Sequence, residues 1–108
     1  MDWVVYKFGG TGLANADCFE RVRALYQDFQ EKNGDKQLVL VLSAMGGITN
    51  LLAEALKEAS LKSSKYGQIL DEVKERHLKA LNILVEDREL KDEFTKELED
   101  DFDDLNYI

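Results

Sequence analysis

The chain has 108 residues, with 22 acidic and 14 basic side chains, one cysteine and no proline, which bounds it to a single domain. A hydrophobic content of 44% argues against wholesale disorder. The lone cysteine excludes an internal disulfide and a four-cysteine zinc site, and no apolar run is long enough to span a membrane. The charge is segregated: Met1 to Val85 is balanced, and the whole net charge of −8 falls between Glu86 and Asp104. That stretch has the wrong sign for a phosphate backbone, so no nucleic-acid partner is expected. The N-terminus runs straight into a strand-like segment without a basic start or cleavage site. No secretory leader and no membrane partner are expected, and the default location is the cytoplasm.

Trp3 to Phe8 is β-branched and aromatic and stops at Gly9-Gly10, the pattern of a strand entering a glycine turn. Asp17 and Glu20 have capping-box spacing and predict a helix start. Phe19, Val22, Leu25, Tyr26 and Phe29 follow at helical spacing, and Asn33-Gly34 predicts the stop. Gln37 to Ser43 contains Leu38-Val39-Leu40-Val41-Leu42, apolar on both faces as a buried parallel strand is. Strand, helix and strand in this order make a βαβ unit.

A second glycine turn, Ala44-Met45-Gly46-Gly47, leads to a helix starting near Thr49 with Leu51, Leu52, Ala55, Leu56 and Ala59 on one side. After a polar break from Ser60 to Ser64, Ile69, Leu70, Val73, His77, Ala80, Leu81 and Leu84 predict a long amphipathic helix. Leu90, Phe94, Leu98, Phe102 and Leu105 predict a last one. Two parallel strands this apolar need strand neighbours and cover. The chain is therefore expected to be the front of a longer protein or a domain completed by a partner. Its C-terminal stripe is expected to drive formation of a homo-oligomer.

In open α/β sheets, ligands bind where strands end and helices begin, and this chain has two such junctions. The first, Lys7-Phe8-Gly9-Gly10-Thr11-Gly12, lets backbone N–H groups approach an anion beside a positive charge. The second, Ser43-Ala44-Met45-Gly46-Gly47-Ile48-Thr49-Asn50, sets a hydroxyl and backbone donors at a helix N-terminus. Neither is a P-loop. Each alone is a tight turn, and Thr49 alone is a helix cap. Together, with Lys7, they favour one anion pocket at one end of the sheet. Elsewhere, His77 among apolar neighbours reads as a packing residue and Cys18 as a small core residue. Glu99 to Asp104 reads as a solvated face rather than a metal site, and Trp3 as cover for the sheet edge.

Val5-Tyr6-Lys7-Phe8-Gly9-Gly10-Thr11, followed by Leu13-Ala14-Asn15-Ala16, resembles the opening signature of aspartokinases, Lys-Phe-Gly-Gly-Thr-Ser followed by a hydrophobic residue and Ala. Val41 to Leu52 resembles their second signature, which ends in Thr-Asn before a helix. Lys65 to Ile108 is more loosely similar to the helical region of the longer aspartokinases, including those fused to homoserine dehydrogenase. The resemblance implies an α/β fold: part of a three-layer α/β/α amino-acid kinase sandwich, with one parallel βαβ unit followed by a helical region. Residues 1–62 would be the nucleotide-phosphate and substrate core of the N-terminal part of the kinase domain, and residues 63–108 the helical region.

The resemblance also implies a reaction. The full-length enzyme, with ATP and Mg2+, would transfer the γ-phosphoryl group to L-aspartate, giving 4-phospho-L-aspartate, the first step of lysine, threonine and methionine biosynthesis. Motif matching makes Lys7 the catalytic residue. Lys7, Phe8, Gly9, Gly10, Thr11 and Ser43 would bind the phosphates, and Gly46, Gly47 and Thr49, with Ile48, would bind aspartate. No protein metal ligand is implied. Gly12 departs from the family serine, and a hydrogen bond to a charged group is worth about 1.5–3 kcal/mol. The adenine-binding segment and the other aspartate contacts of the family are expected outside this chain. The rest of the kinase domain is then an implied partner, and the isolated chain is expected to be inactive. Two alternatives stand beside this reading. One is a homologue acting on another carboxylate or carbamate, which the Ser43-to-Asn50 motif disfavours. The other is an inactive kinase-derived fragment serving as an interaction or dimerisation module, which Gly12 favours.

Overall fold

Side-chain alternation along Trp3–Phe8 decides which way the first strand faces: Val4, Tyr6 and Phe8 are half-buried, whereas Trp3, Val5 and Lys7 are exposed. In the computed structural model, which describes residues 2–108, this strand is β1 (Trp3–Phe8). It pairs in parallel with β2 (Gln37–Leu42), Trp3 opposite Gln37 and Phe8 opposite Leu42. A 3₁₀ turn (Gly10–Leu13) and α1 (Ala16–Lys32) connect them. Phe29 of α1 meets Tyr6 edge to face at 5.8 Å between ring centroids, so α1 lies on the Val4, Tyr6 and Phe8 face. The expected α/β class and parallel βαβ unit are present.

Three local expectations are corrected. The N-cap of α1 is Asn15 rather than Asp17, and its Oδ1 accepts the Cys18 N–H at 3.1 Å. Asp17 falls in the first helical turn, where its charge suits the helix dipole, and Glu20 pairs with Arg23 on the surface. The helix starts earlier because Leu13, fully buried, pins the preceding turn. β2 is not buried on both faces. Leu38 and Leu40 are half-buried, but Val39, Val41 and Leu42 are exposed, because within this part of the chain only α1 packs on the sheet. Trp3, read as edge cover, is exposed as well. At the far end of α1, Asn33 closes the helix as expected, its N–H and its side-chain amide both donating to the Phe29 carbonyl.

The chain forms two compact units, the first ending at Gly47 and the second beginning at Ile48. The second is all helical: α2 (Ile48–Ser60), α3 (Lys65–Leu84) and α4 (Arg88–Tyr107), with α3 packed against both neighbours. Val73 is the most buried side chain on α3, and Phe102 is the buried one on α4. The His77 ring lies 6.1 Å from that of Phe102, and its Nδ1 lies 2.7 Å from the Val73 carbonyl oxygen, so it packs as expected. Of the C-terminal stripe, Phe102 is buried and Leu98 half-buried, whereas Phe94 and Leu105 remain exposed. Asp87 caps α4, accepting the Leu90 N–H at 2.9 Å.

The polar break after α2 is a helix stop of defined geometry. Ser63 N–H reaches back to the Glu58 carbonyl and Lys62 N–H to that of Ala59, the two bonds of a Schellman cap. The left-handed residue of that cap is Lys62, at φ 57°. A side chain there costs about 1–2 kcal/mol relative to glycine's freedom. Lys62→Gly is therefore expected to raise stability, and Asn15→Ala to lower it by about 1 kcal/mol. Amide hydrogen exchange checks both: protection rises in α2 and α3 for the first variant and falls in the first turns of α1 for the second.

Candidate functional site

The strand register alone puts the two glycine turns at one end of the sheet. Phe8 and Leu42 are opposite partners, and the Ser43 N–H extends the ladder by donating to the Phe8 carbonyl at 3.2 Å. The chain then leaves both strands in the same direction. The turns touch. A Cβ built on Gly10 would lie 3.5 Å from the Gly46 Cα, and one on Gly46 would lie 2.9 Å from the Gly10 carbonyl oxygen and 3.4 Å from both Cα and Cβ of Ala14. The close approach needs glycine at position 46. Gly47, at φ 84°, needs it for a different reason, because its backbone is left-handed.

The first turn is anchored from below. Leu13 is fully buried, Gly12 N–H donates to the Gly9 carbonyl at 3.0 Å, and the Cys18 Sγ lies 3.8 Å from the Thr11 carbonyl oxygen. A 3₁₀ turn leaves its first N–H groups without intrahelical acceptors, so Gly10 and Thr11 begin a donor-bearing stretch. Gly9 has extended backbone, φ −86° and ψ −175°, and no atom within 4 Å of where a Cβ would stand. The fold therefore does not demand glycine there, and the open space above Gly9 is accessible to a ligand.

Lys7 is exposed on the face opposite α1, across from Val41. Among the described residues no carboxylate lies within ion-pair distance of it. Phe8 faces the α1 side, and its carbonyl is taken by Ser43. Ser43 is exposed, and its hydroxyl donates to the Ala44 carbonyl at 2.7 Å, so it must rotate to meet a ligand. Thr11 is exposed. Thr49, also exposed, is the second residue of α2 and belongs to the second unit. Within the first unit the structure thus sets Gly10 of the first turn against Gly46 of the second, with Gly9 and Thr11 flanking the one, Ser43 and Gly47 in the segment of the other, and Lys7 at the end of β1 on the face opposite α1. Two contributors were given no role by the sequence reading, which had them only as the hydrophobic residue and Ala of the resembled signature. Ala14 is the wall against which Gly46 closes, and Leu13 is the anchor.

A profile of the amino acid kinase family matches residues 2–102. The chain is 34% identical over 86 residues to a chloroplastic bifunctional aspartokinase/homoserine dehydrogenase of Daucus carota, a match covering 79% of this chain and 9% of that protein. It is 37% identical over 60 residues to the aspartokinase of Rickettsia felis, and 40% identical over 60 residues to the aspartate kinase of Pseudomonas fluorescens. Each of those two matches covers 56% of this chain and 14% of the relative. The chain thus spans roughly a tenth of the length of these curated relatives.

The two glycine environments predict opposite responses to alanine. Gly9→Ala should leave the melting temperature unchanged or slightly raised, since its backbone is compatible with a side chain and the space is free. Gly46→Ala should destabilise by about 1–3 kcal/mol, because the obstructing atom is backbone oxygen. Thermal and urea denaturation followed by circular dichroism compare the two.

Proposed function

The chain belongs to the amino acid kinase family, and from that premise we propose that it is a segment of an aspartate kinase carrying the phosphate-binding turns of the active site. The observation that carries the reading is the contact between the two turns at the ends of parallel strands, together with relatives that are aspartokinases. In this reading ATP donates its γ-phosphoryl group to the side-chain carboxylate of L-aspartate, and 4-phospho-L-aspartate and ADP leave. Phosphoryl transfer asks the protein for positioning and positive charge rather than covalent chemistry. Lys7 neutralises charge on the transferring group, and the N–H groups of Gly9, Gly10 and Thr11 hold phosphate oxygens. Ser43 adds a hydroxyl from the second strand. By the resemblance, Gly46 and Gly47 of the second turn belong to the aspartate side.

Magnesium would accompany the nucleotide. Among the described residues no group of three His, Cys, Asp or Glu side chains converges on one point. Among those residues, too, no helix is long and apolar enough to cross a membrane. Gly12 stands where the family signature has serine, and its Cβ position would meet only Phe8 at 3.9 Å. Restoring the serine is sterically permitted.

The exposed sheet face of Trp3, Val5, Val39 and Val41 favours a second reading, in which the isolated chain acts as an interaction module. The two readings separate on the nucleotide. In the aspartate kinase reading, ATP titrated into the isotope-labelled chain shifts the amide resonances of Gly9, Gly10 and Thr11, and Lys7→Ala removes the response. Absence of any shift at those amides at millimolar ATP would count against the phosphate assignment. The chain alone is expected to release no ADP in response to aspartate in a coupled assay. In a polypeptide carrying the rest of the kinase domain, Lys7→Ala is expected to lower kcat by roughly 10²–10³-fold or more.

A further inference from the structure

Sequence resemblance gives Gly46 a share of the aspartate pocket. Its surroundings assign it a different task. A Cβ there would not meet open space, as a pocket-lining position would. It would meet the Gly10 carbonyl oxygen at 2.9 Å and the Ala14 Cα and Cβ at 3.4 Å. All of these atoms belong to the first turn and the residue that follows it. Gly10 in turn faces the Gly46 Cα, where its own Cβ would stand 3.5 Å away. The two turns are therefore in backbone-to-backbone contact with no side chain between them.

The contact is anchored on both sides. The first turn is held by the fully buried Leu13 and by the Gly12 to Gly9 hydrogen bond. The second is held by the buried Met45 and by the Ser43 to Phe8 bond that closes the ladder. Neither turn can move toward or away from the other without disturbing an anchored residue. We infer that Gly46 is a positioning residue: by carrying no side chain it sets the separation between the two turns, and so between an anion held at Gly9–Thr11 and the group held by the second turn. This rests on the proposed phosphate role of the first turn and adds to it a coupling between the turns.

The size of the effect follows from the geometry. A side chain at position 46 must open the gap by about half an ångström to restore an ordinary contact. Reacting atoms need to approach within ~3–3.5 Å, and a misplacement of about 1 Å costs ~100-fold. Half that distance corresponds to a loss of roughly tenfold in transfer rate where the rest of the kinase domain is present.

The test is made on the full chain with isotope labelling, using inorganic phosphate as the probe. Gly46→Ala is expected to move the amide resonances of Gly10, Thr11 and Ala14 before any phosphate is added. It should also move the phosphate titration at Gly9–Thr11 to higher phosphate concentration. Ala14→Val, which thickens the opposite wall while leaving glycine at position 46, should do the same. Val22→Ala serves as the control. Val22 is buried in α1 and belongs to neither turn, so its truncation lowers stability without altering a turn residue, and its phosphate titration should stay as in the parent chain. Phosphate affinity at Gly9–Thr11 equal to that of the parent in Gly46→Ala and Ala14→Val, in variants shown to be folded, would overturn the inference while leaving the phosphate site intact. If the parent chain itself shows no phosphate response, the phosphate assignment fails and the coupling is decided by the ligand-free spectra. Resonances of Gly10 to Ala14 unmoved by Gly46→Ala would then refute it. Should Gly46→Ala not fold, Ala14→Val carries the same comparison.

Discussion

Everything at the candidate site depends on the parallel pairing of β1 with β2 in a register that ends both strands together. With Phe8 opposite Leu42, and Ser43 bonded back to Phe8, the chain must turn twice at the same place. Two turns emerging one strand spacing apart, about 4.8 Å, have little room between them. Glycine at position 46 is what lets the two backbones approach as closely as they do. A one-residue slip in register would move Lys7 to the α1 face and part the turns.

The alternation in β1 divides labour between neighbouring residues. Lys7 faces outward and Phe8 inward, next to Tyr6, whose ring packs on Phe29 of α1. The inward residue holds the strand on the helix, and its carbonyl holds the start of the second turn. The outward residue is free to reach an anion. Leu13 repeats the arrangement one turn later: buried completely, it contributes about 1.5–3 kcal/mol of burial and fixes the direction in which Gly10 and Thr11 present their backbones. A flexible loop of the same composition would bind anions more weakly, since it would have to be ordered on binding.

Much of this was legible in the sequence. The strands of β1 and β2, the helix stop at Asn33 and the two glycine turns follow from composition and periodicity. So do α3 and α4, where apolar residues recur every three or four positions. The start of α1 was not legible, because Asn15 and Asp17 are both capping residue types; the choice fell to how far the 3₁₀ turn runs before Leu13 is buried. The exposure of Val39 and Val41 was not legible either, since an apolar run reports a preference for burial and not the presence of a covering layer. The role of Gly46 was the least accessible. Its spacing marks a turn, but nothing in the sequence shows that Gly10 and Ala14 stand against it.

Geometry and electrostatics at this site have different requirements, and the chain meets them unequally. The turns are positioned by buried anchors and backbone bonds, which lie within the first unit. The charge that would act on a transferring phosphoryl group sits on Lys7, which is exposed. In water two unit charges 4 Å apart interact by only about 1 kcal/mol, against about 4 kcal/mol at the effective dielectric of a protein surface site. Lys7 therefore gains strength only where water is excluded around it, and that exclusion requires cover over the face it shares with Trp3, Val5, Val39 and Val41. The same uncovered apolar face that leaves β2 short of its expected burial is the face on which the lysine stands. Covering it would bury the sheet and, in the proposed reading, strengthen the attraction between Lys7 and a bound phosphate, so both depend on a single surface.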